Sequence, residues 1–375
     1  MGKFGRKNDV DLNPLHYNIA LLGESGVGKT TISKEMCEKL VGEDGYIHFD
    51  IGREDGAAAI QGIVSEKIED WAKLTEVVDD IVENKQTDYP NLRVILWDTL
   101  DELIVLAETE SIRLHNRANP DKKTTTINSA WGGFGKGQDK AIELILDKIW
   151  ELKKAGVSPI IIGHVKRSDI TDPVTQETFS KLTSDTQQRY FNAIKNKMHF
   201  IGLAYIDRNI VKEKLGRKNV VTKEDITINK VVNESRVISF RDDTYSVDSK
   251  SRFADIVDRI PFDADEFIKA MKDAIEAERS KSGETLKQSQ ERQAKKDAKS
   301  AEEAKEYSAN KKANHGGEDE IPDLIARIQP KFLGADKKDR DEVKKIMATY
   351  GITSFRDVEI EHLEGLRKIA EYLAA

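Results

Sequence analysis

The run Gly23-Glu24-Ser25-Gly26-Val27-Gly28-Lys29-Thr30 fits GxxxxGK[ST], the spacing of a loop that wraps phosphate. Glycines at 23, 26 and 28 let the backbone turn tightly and aim N–H groups at an anion. The N-terminus of a following helix adds its positive end. Lys29 would reach the β- and γ-phosphates of a nucleotide such as ATP, and the Thr30 hydroxyl would be a ligand of Mg²⁺. Ser25 and Thr31 are further phosphate contacts or ordinary polar residues of a loop and a helix start. Such a loop needs an acid at the end of a neighbouring strand. The apolar run Val94-Ile95-Leu96-Trp97 ends at Asp98, which is either the metal's carboxylate or the cap of the helix that follows.

The elements around the loop suit it. An apolar strand at 17–22 precedes it and good helix formers at 31–40 follow. Further strands are expected at 46–50, 93–97, 158–163 and 199–206, with helices between them, notably 100–116 and 138–155. This alternation predicts an α/β fold: a P-loop core with a mostly parallel sheet and helices on both faces. After residue 200 the segments 225–230 and 236–241 read as an antiparallel β extension.

Apolar side chains nearly vanish over 281–317, which reads as a charged linker, at most transiently helical. Apolar spacing returns at Ile321, Leu324, Ile325 and Ile328, and again at Val343, Ile346 and Met347, with a last helix near 360–374. The expected organisation is a flexible terminus at 1–14, an ATPase domain at 15–280, the linker at 281–317 and a small helical partner-binding module at 318–375.

The composition sets limits. Over 375 residues the net charge is only −7 although 34% of residues are charged, a balance that does not announce nucleic-acid binding. Cys37 is the single cysteine, which excludes an internal disulfide and a cysteine zinc site and fits a reducing cytoplasm. The polar N-terminus and the lack of any run of about eighteen apolar residues argue against secretion and membrane insertion. A GTPase is disfavoured: no DxxG follows the Asp98 strand, and neither Asn84-Lys85 nor Asn196-Lys197 completes NKxD.

The set formed by the 23–30 loop, Asp98-Thr99, the Trp131-Gly132-Gly133-Phe134-Gly135 loop, Gly163-His164 and Lys250-Ser251-Arg252-Phe253 resembles the phage RecA/RadA-like ATPases of the Sak recombination group, phage nucleotide-binding proteins of the AAA kind. The resemblance covers about residues 15–280. It implies a RecA-like core, ATP and Mg²⁺ as ligands, a homo-oligomer with interfacial ATP sites, and work on single-stranded DNA beside an annealing or single-strand-binding protein, in the host cytoplasm.

Where many helicase-type and AAA ATPases carry a water-orienting glutamate after the magnesium aspartate, this chain has Thr99. The resemblance points instead to the end of the 46–50 strand, where Glu54 and Asp50 are the candidates, in that order, or are plain loop acids. It casts His164 as a γ-phosphate sensor and Lys250 or Arg252 as a cation reaching a neighbouring subunit's γ-phosphate. DNA contact is expected from loop 115–137, with Arg117, Lys122, Lys123, Trp131, Phe134 and Lys136, and from loop 165–189, with Lys166, Arg167, Lys181 and Arg189. Trp131 and Phe134 could equally anchor their loop to the core. Two other readings are open: a helicase-loader or replication-initiation ATPase, and a nucleotide-gated binding module with negligible turnover.

Overall fold

The computed structural model describes residues 9–53, 56–171, 174–218, 225–241, 250–334, 337–355, 358 and 360–373. Among the described residues ten strands form the sheet: β1 (Ile19–Gly23), β2 (Tyr46–Ile51), β3 (Ser65–Ile68), β4 (Val94–Asp98), β5 (Ser158–Thr171), β6 (Thr178–Ser184), β7 (Phe200–Lys218), β8 (Asp225–Ser239), β9 (Lys250–Ser251) and β10 (Arg259–Pro261). Their order is β10-β8-β7-β1-β5-β4-β2-β3, with β6 on β5 and β9 on β7. The members from β7 to β3 run parallel, and β8 and β10 continue antiparallel, as the β-rich text after residue 200 predicts.

Helices cover both faces. On one lie α1 (Lys29–Val41) and α6 (Ala264–Ser280), packed on Ile19, Leu21, Leu96 and Ile238. On the other lie α2 (Trp71–Glu83), α3 (Leu100–Ala118), α4 (Lys136–Lys154) and α5 (Gln188–Lys195), over Leu22, Phe49, Trp97 and Ile161. Strands covered on both faces read as continuous apolar runs, so β1 is buried at all five positions. No helix among the described residues is long and apolar enough to cross a membrane.

Two expectations need correction. The strand expected to stop at residue 163 runs on to Thr171 and folds back as β6, pairing Val165 with Ser184 and Thr171 with Thr178. Most of the expected 165–189 loop is therefore a two-stranded ribbon, in keeping with its β-branched Val165, Ile170, Thr171 and Thr183. The charged stretch 281–317 is helical from Leu286: α7 (Leu286–Gly334) is one continuous 49-residue helix. It lies along the core layers, with Lys296 paired to Asp11 at 2.9 Å and Lys311 to Asp79 at 3.4 Å and Glu151 at 3.5 Å. Its polarity is that of a solvated helix carrying pairs such as Lys299–Glu303. Beyond it, α8 (Lys337–Thr349) and α9 (Leu363–Tyr372) close a separate small core on Ile328, Val343, Leu366 and Ile369.

Candidate nucleotide site

The parallel strands end together at one edge, and β1 is the place where the order turns from β5 on one side to β7 on the other. Ligands in such sheets sit outside the carboxyl ends at this crevice. Gly23 faces His164 on β5 and Ala204 on β7. A Cβ on Gly23 would stand 2.7 Å from the Ala204 carbonyl oxygen, so the loop can leave the strand only from a glycine. Val27, wholly buried, pins the far side of the loop to the α1 face.

Helix α1 starts at Lys29, whose Nζ donates to the carbonyls of Gly23 and Glu24, each at 3.0 Å. The next residue, Thr30, donates its hydroxyl to Asp98 Oδ2 at 2.6 Å. The helix after Asp98 is capped by the Thr99 side chain, so Asp98 is not spent on capping and turns to the loop. A hydroxyl and a carboxylate oxygen at this spacing are the hard donors magnesium takes, together with phosphate and water, and the residues fit that ion. Among the described residues no cluster of three metal-ligating side chains exists, and magnesium held largely by phosphate and water needs none. The cleft, about 210 Å³, is lined by Ser25, Gly26, Gly28, Lys29, Thr30, Thr31, Gly56, Ile60, Asp98, Thr99 and His164.

Sequence reading missed His48. Tyr46, His48 and Asp50 alternate onto the α1 face of β2, and His48 is buried to 1% exposure. Its Nε2 lies 3.2 Å from Asp98 Oδ2 and its Nδ1 3.1 Å from the Ser65 hydroxyl oxygen. The tautomer that serves both puts the proton on Nε2 and lets Ser65 donate to Nδ1.

Asp50 pairs in register with Asp98, one strand over, and its carboxylate is held by Lys67 at 3.0 Å. Glu54 lies outside the described residues. A further acid, Glu102, accepts the Arg53 backbone N–H at 3.0 Å and so stands where the chain leaves β2. His164 lines the cleft but does not end its strand. Arg252 is not brought to the loop: β9 pairs with the start of β7, at the opposite edge of the sheet, and its guanidinium donates to the Asn196 carbonyl at 2.6 Å. The Lys250 side chain lies outside the described residues. Cys37 is buried within α1, and burial pushes its thiol far up, which removes it as a nucleophile.

Of the two aromatic candidates, Trp131 is an anchor, its indole N–H donating to Ser111 at 3.2 Å and its ring set edge-on to His115. Phe134, between glycines, is 98% exposed. Arg189 grips Asp139 with two nitrogens, at 2.7 and 3.0 Å, and Lys166 pairs with Asp185 at 3.2 Å.

Among curated proteins none matches this chain. One family, described as an AAA domain, matches residues 15–253, a span that holds the glycine loop, Asp98 and every residue lining the cleft, and the chain belongs to that family.

Proposed function

We propose that this protein is a Mg²⁺-dependent ATPase that couples nucleotide hydrolysis to work on single-stranded DNA, as a recombination or annealing accessory of the phage Sak type. The observation that carries the reading is the 2.6 Å contact between Thr30 and Asp98 beside Lys29, which joins the phosphate loop to the strand-end carboxylate. Loop amides and Lys29 would bind and orient the phosphates, and Thr30 and Asp98 would hold an ion that neutralises charge on them. Exposed Phe134 is suited to stack on a base, and the exposed Lys136 and Arg117 of the same 115–137 segment to track phosphates.

The homo-oligomer with interfacial ATP sites belongs to the same proposal. Arg252 lies far from the loop of its own chain, so a phosphate contact by it would be to a neighbour's site. The helical module on Ile328, Val343 and Leu366 would recruit a single-strand-binding or annealing protein, and the setting would be the host cytoplasm. A nucleotide-gated switch with negligible turnover is the second reading, favoured by the Lys67 ion pair that occupies Asp50.

Phosphate release measured with and without single-stranded DNA tests the proposal. Release that rises with DNA, and is abolished in Lys29→Ala, is the expected result. Tight ATP binding with no release under either condition would sink the hydrolase and leave the switch.

A further inference from the structure

Gly28, the last glycine of the loop, has φ of +102° and two neighbours that no local motif predicts. A Cβ there would lie 3.4 Å from the Phe262 ring and 3.6 Å from Nη1 of Arg236. Arg236 therefore reaches the phosphate loop of its own chain, from a strand some two hundred residues downstream.

Strand register explains how. Gly23 is level with Ala204 on β7, Ala204 with Ile238 on β8, and Ile206 with Arg236. Two residues past Gly23 along the strand direction is about 7 Å beyond the strand end, the height of the loop. Alternation puts Arg236 on the same face as Ile238 and Phe240, which pack beneath α1 and α6. Phe262 donates its backbone N–H to the Arg236 carbonyl at 3.1 Å, just past the β8–β10 ladder, and α6 begins right after it, tied to α1 by Lys39–Asp265 at 2.7 Å. Both side chains are thus set against the loop by the fold itself.

The neighbouring arginines on this edge are neutralised: Arg208 by Glu234 at 3.0 Å and Arg259 by Asp207 at 2.8 Å. Arg236 is exposed, and among the described residues its guanidinium takes part in no ion pair or hydrogen bond. A planar cationic fork left unneutralised beside an anion-binding loop is built for phosphate oxygens.

We propose that Arg236 is a polyphosphate-binding residue of this site, acting within its own chain and held in place by Phe262. The inference rests on the nucleotide reading above, and its ligand class is a nucleoside triphosphate recognised through the phosphates.

Calorimetric titration of the full chain with MgATP, and separately with magnesium tripolyphosphate, tests it. Arg236→Gln is expected to weaken both by about tenfold, the scale of one lost charge-assisted hydrogen bond, and Arg236→Lys to recover part of the loss. Arg208→Gln, a surface change on the same edge, should bind as the parent does. Because Arg236 is exposed, an unchanged melting temperature without nucleotide separates binding from folding.

Binding of both ligands within about twofold of the parent in Arg236→Gln would overturn the assignment. A loss confined to ATP would overturn it too, since the base and not the phosphates would then be the contact. If Lys29→Ala abolishes binding while Arg236→Gln does not, the nucleotide reading stands and this inference alone falls. A parent protein that binds neither ligand ends both.

Discussion

His164 is tied twice to one carboxylate oxygen: its backbone N–H lies 3.0 Å and its Nδ1 3.2 Å from Asp101 Oδ2. The wall of the cleft formed by β5 is thereby locked to the first turn of α3, which starts directly after Asp98-Thr99. The same strand continues outward as the β5–β6 ribbon. A change at the phosphates that disturbs His164 has a direct covalent path to that ribbon.

Breaking this lock should separate binding from turnover. Asp101→Ala is expected to change ATP affinity by less than about threefold while DNA-stimulated turnover falls by about tenfold or more. Parallel measurement of KM and kcat checks this, and a raised KM with kcat unchanged would show that His164 serves binding alone.

The His48–Asp98 contact predicts a longer-range effect on the metal. Partners that orient a ligating side chain are worth about 10–100-fold in affinity. His48→Ala should weaken Mg²⁺-dependent ATP binding on that scale, and His48→Gln, which keeps a donor of similar reach, should restore part of it. Titration of ATP binding against magnesium is the readout.

Lys67 bears on the choice between the acids at the end of β2. With its carboxylate held at 3.0 Å by that ammonium, Asp50 is engaged in an ion pair. Asp50→Asn is therefore expected to leave turnover within about threefold, whereas loss of a true general base costs about a hundredfold or more. Glu54→Gln and Glu102→Gln measured alongside it identify the water-orienting acid; a hundredfold loss in Asp50→Asn would reverse the assignment.

What was legible in the sequence follows from how far each signal reaches. The strand before the loop, the loop and Asp98 all declare themselves locally, because central parallel strands are unbroken apolar runs and the loop is a contiguous motif. Arg236 and His48 reach the site through strand register, which pairs positions with no local relation, so no window of sequence contains them. The continuation of β5 past Gly163 was hidden because a ribbon that has left the layered core no longer needs an apolar run. For 286–317 the text of a solvated helix and that of a linker are the same, and partners elsewhere in the chain, such as Asp11, Asp79 and Glu151, distinguish them.

Phe134 and Trp131 make a paired test of DNA contact. Phe134→Ala removes an exposed ring held by neither core nor hydrogen bond, and should weaken single-stranded DNA binding by about 1–3 kcal/mol with ATP binding unchanged. Trp131→Ala removes the indole bond to Ser111 and the ring contact with His115, so it should raise proteolysis within 115–137. Equal DNA affinity in Phe134→Ala and the parent would remove this loop from the DNA path.

Acid should loosen the N-terminal segment from α7 before the sheet fails. Burial alone would raise the Asp11 carboxyl, but hydrogen bonds from His16 at 2.7 Å and Lys296 at 2.9 Å, with the Asn13 amide, outweigh it and bring it down to about 2. A carboxyl lower in the folded state than in the unfolded one stabilises the fold fully above its unfolded value, near 4. That contribution is lost as pH falls from about 4 toward 2. Asp11→Asn should therefore lower the melting temperature at neutral pH, yet show a shallower further drop than the parent across that acid window. Thermal melts at pH 7, 4 and 3 read this directly, and parallel acid dependence in both proteins would place the stabilising charge elsewhere.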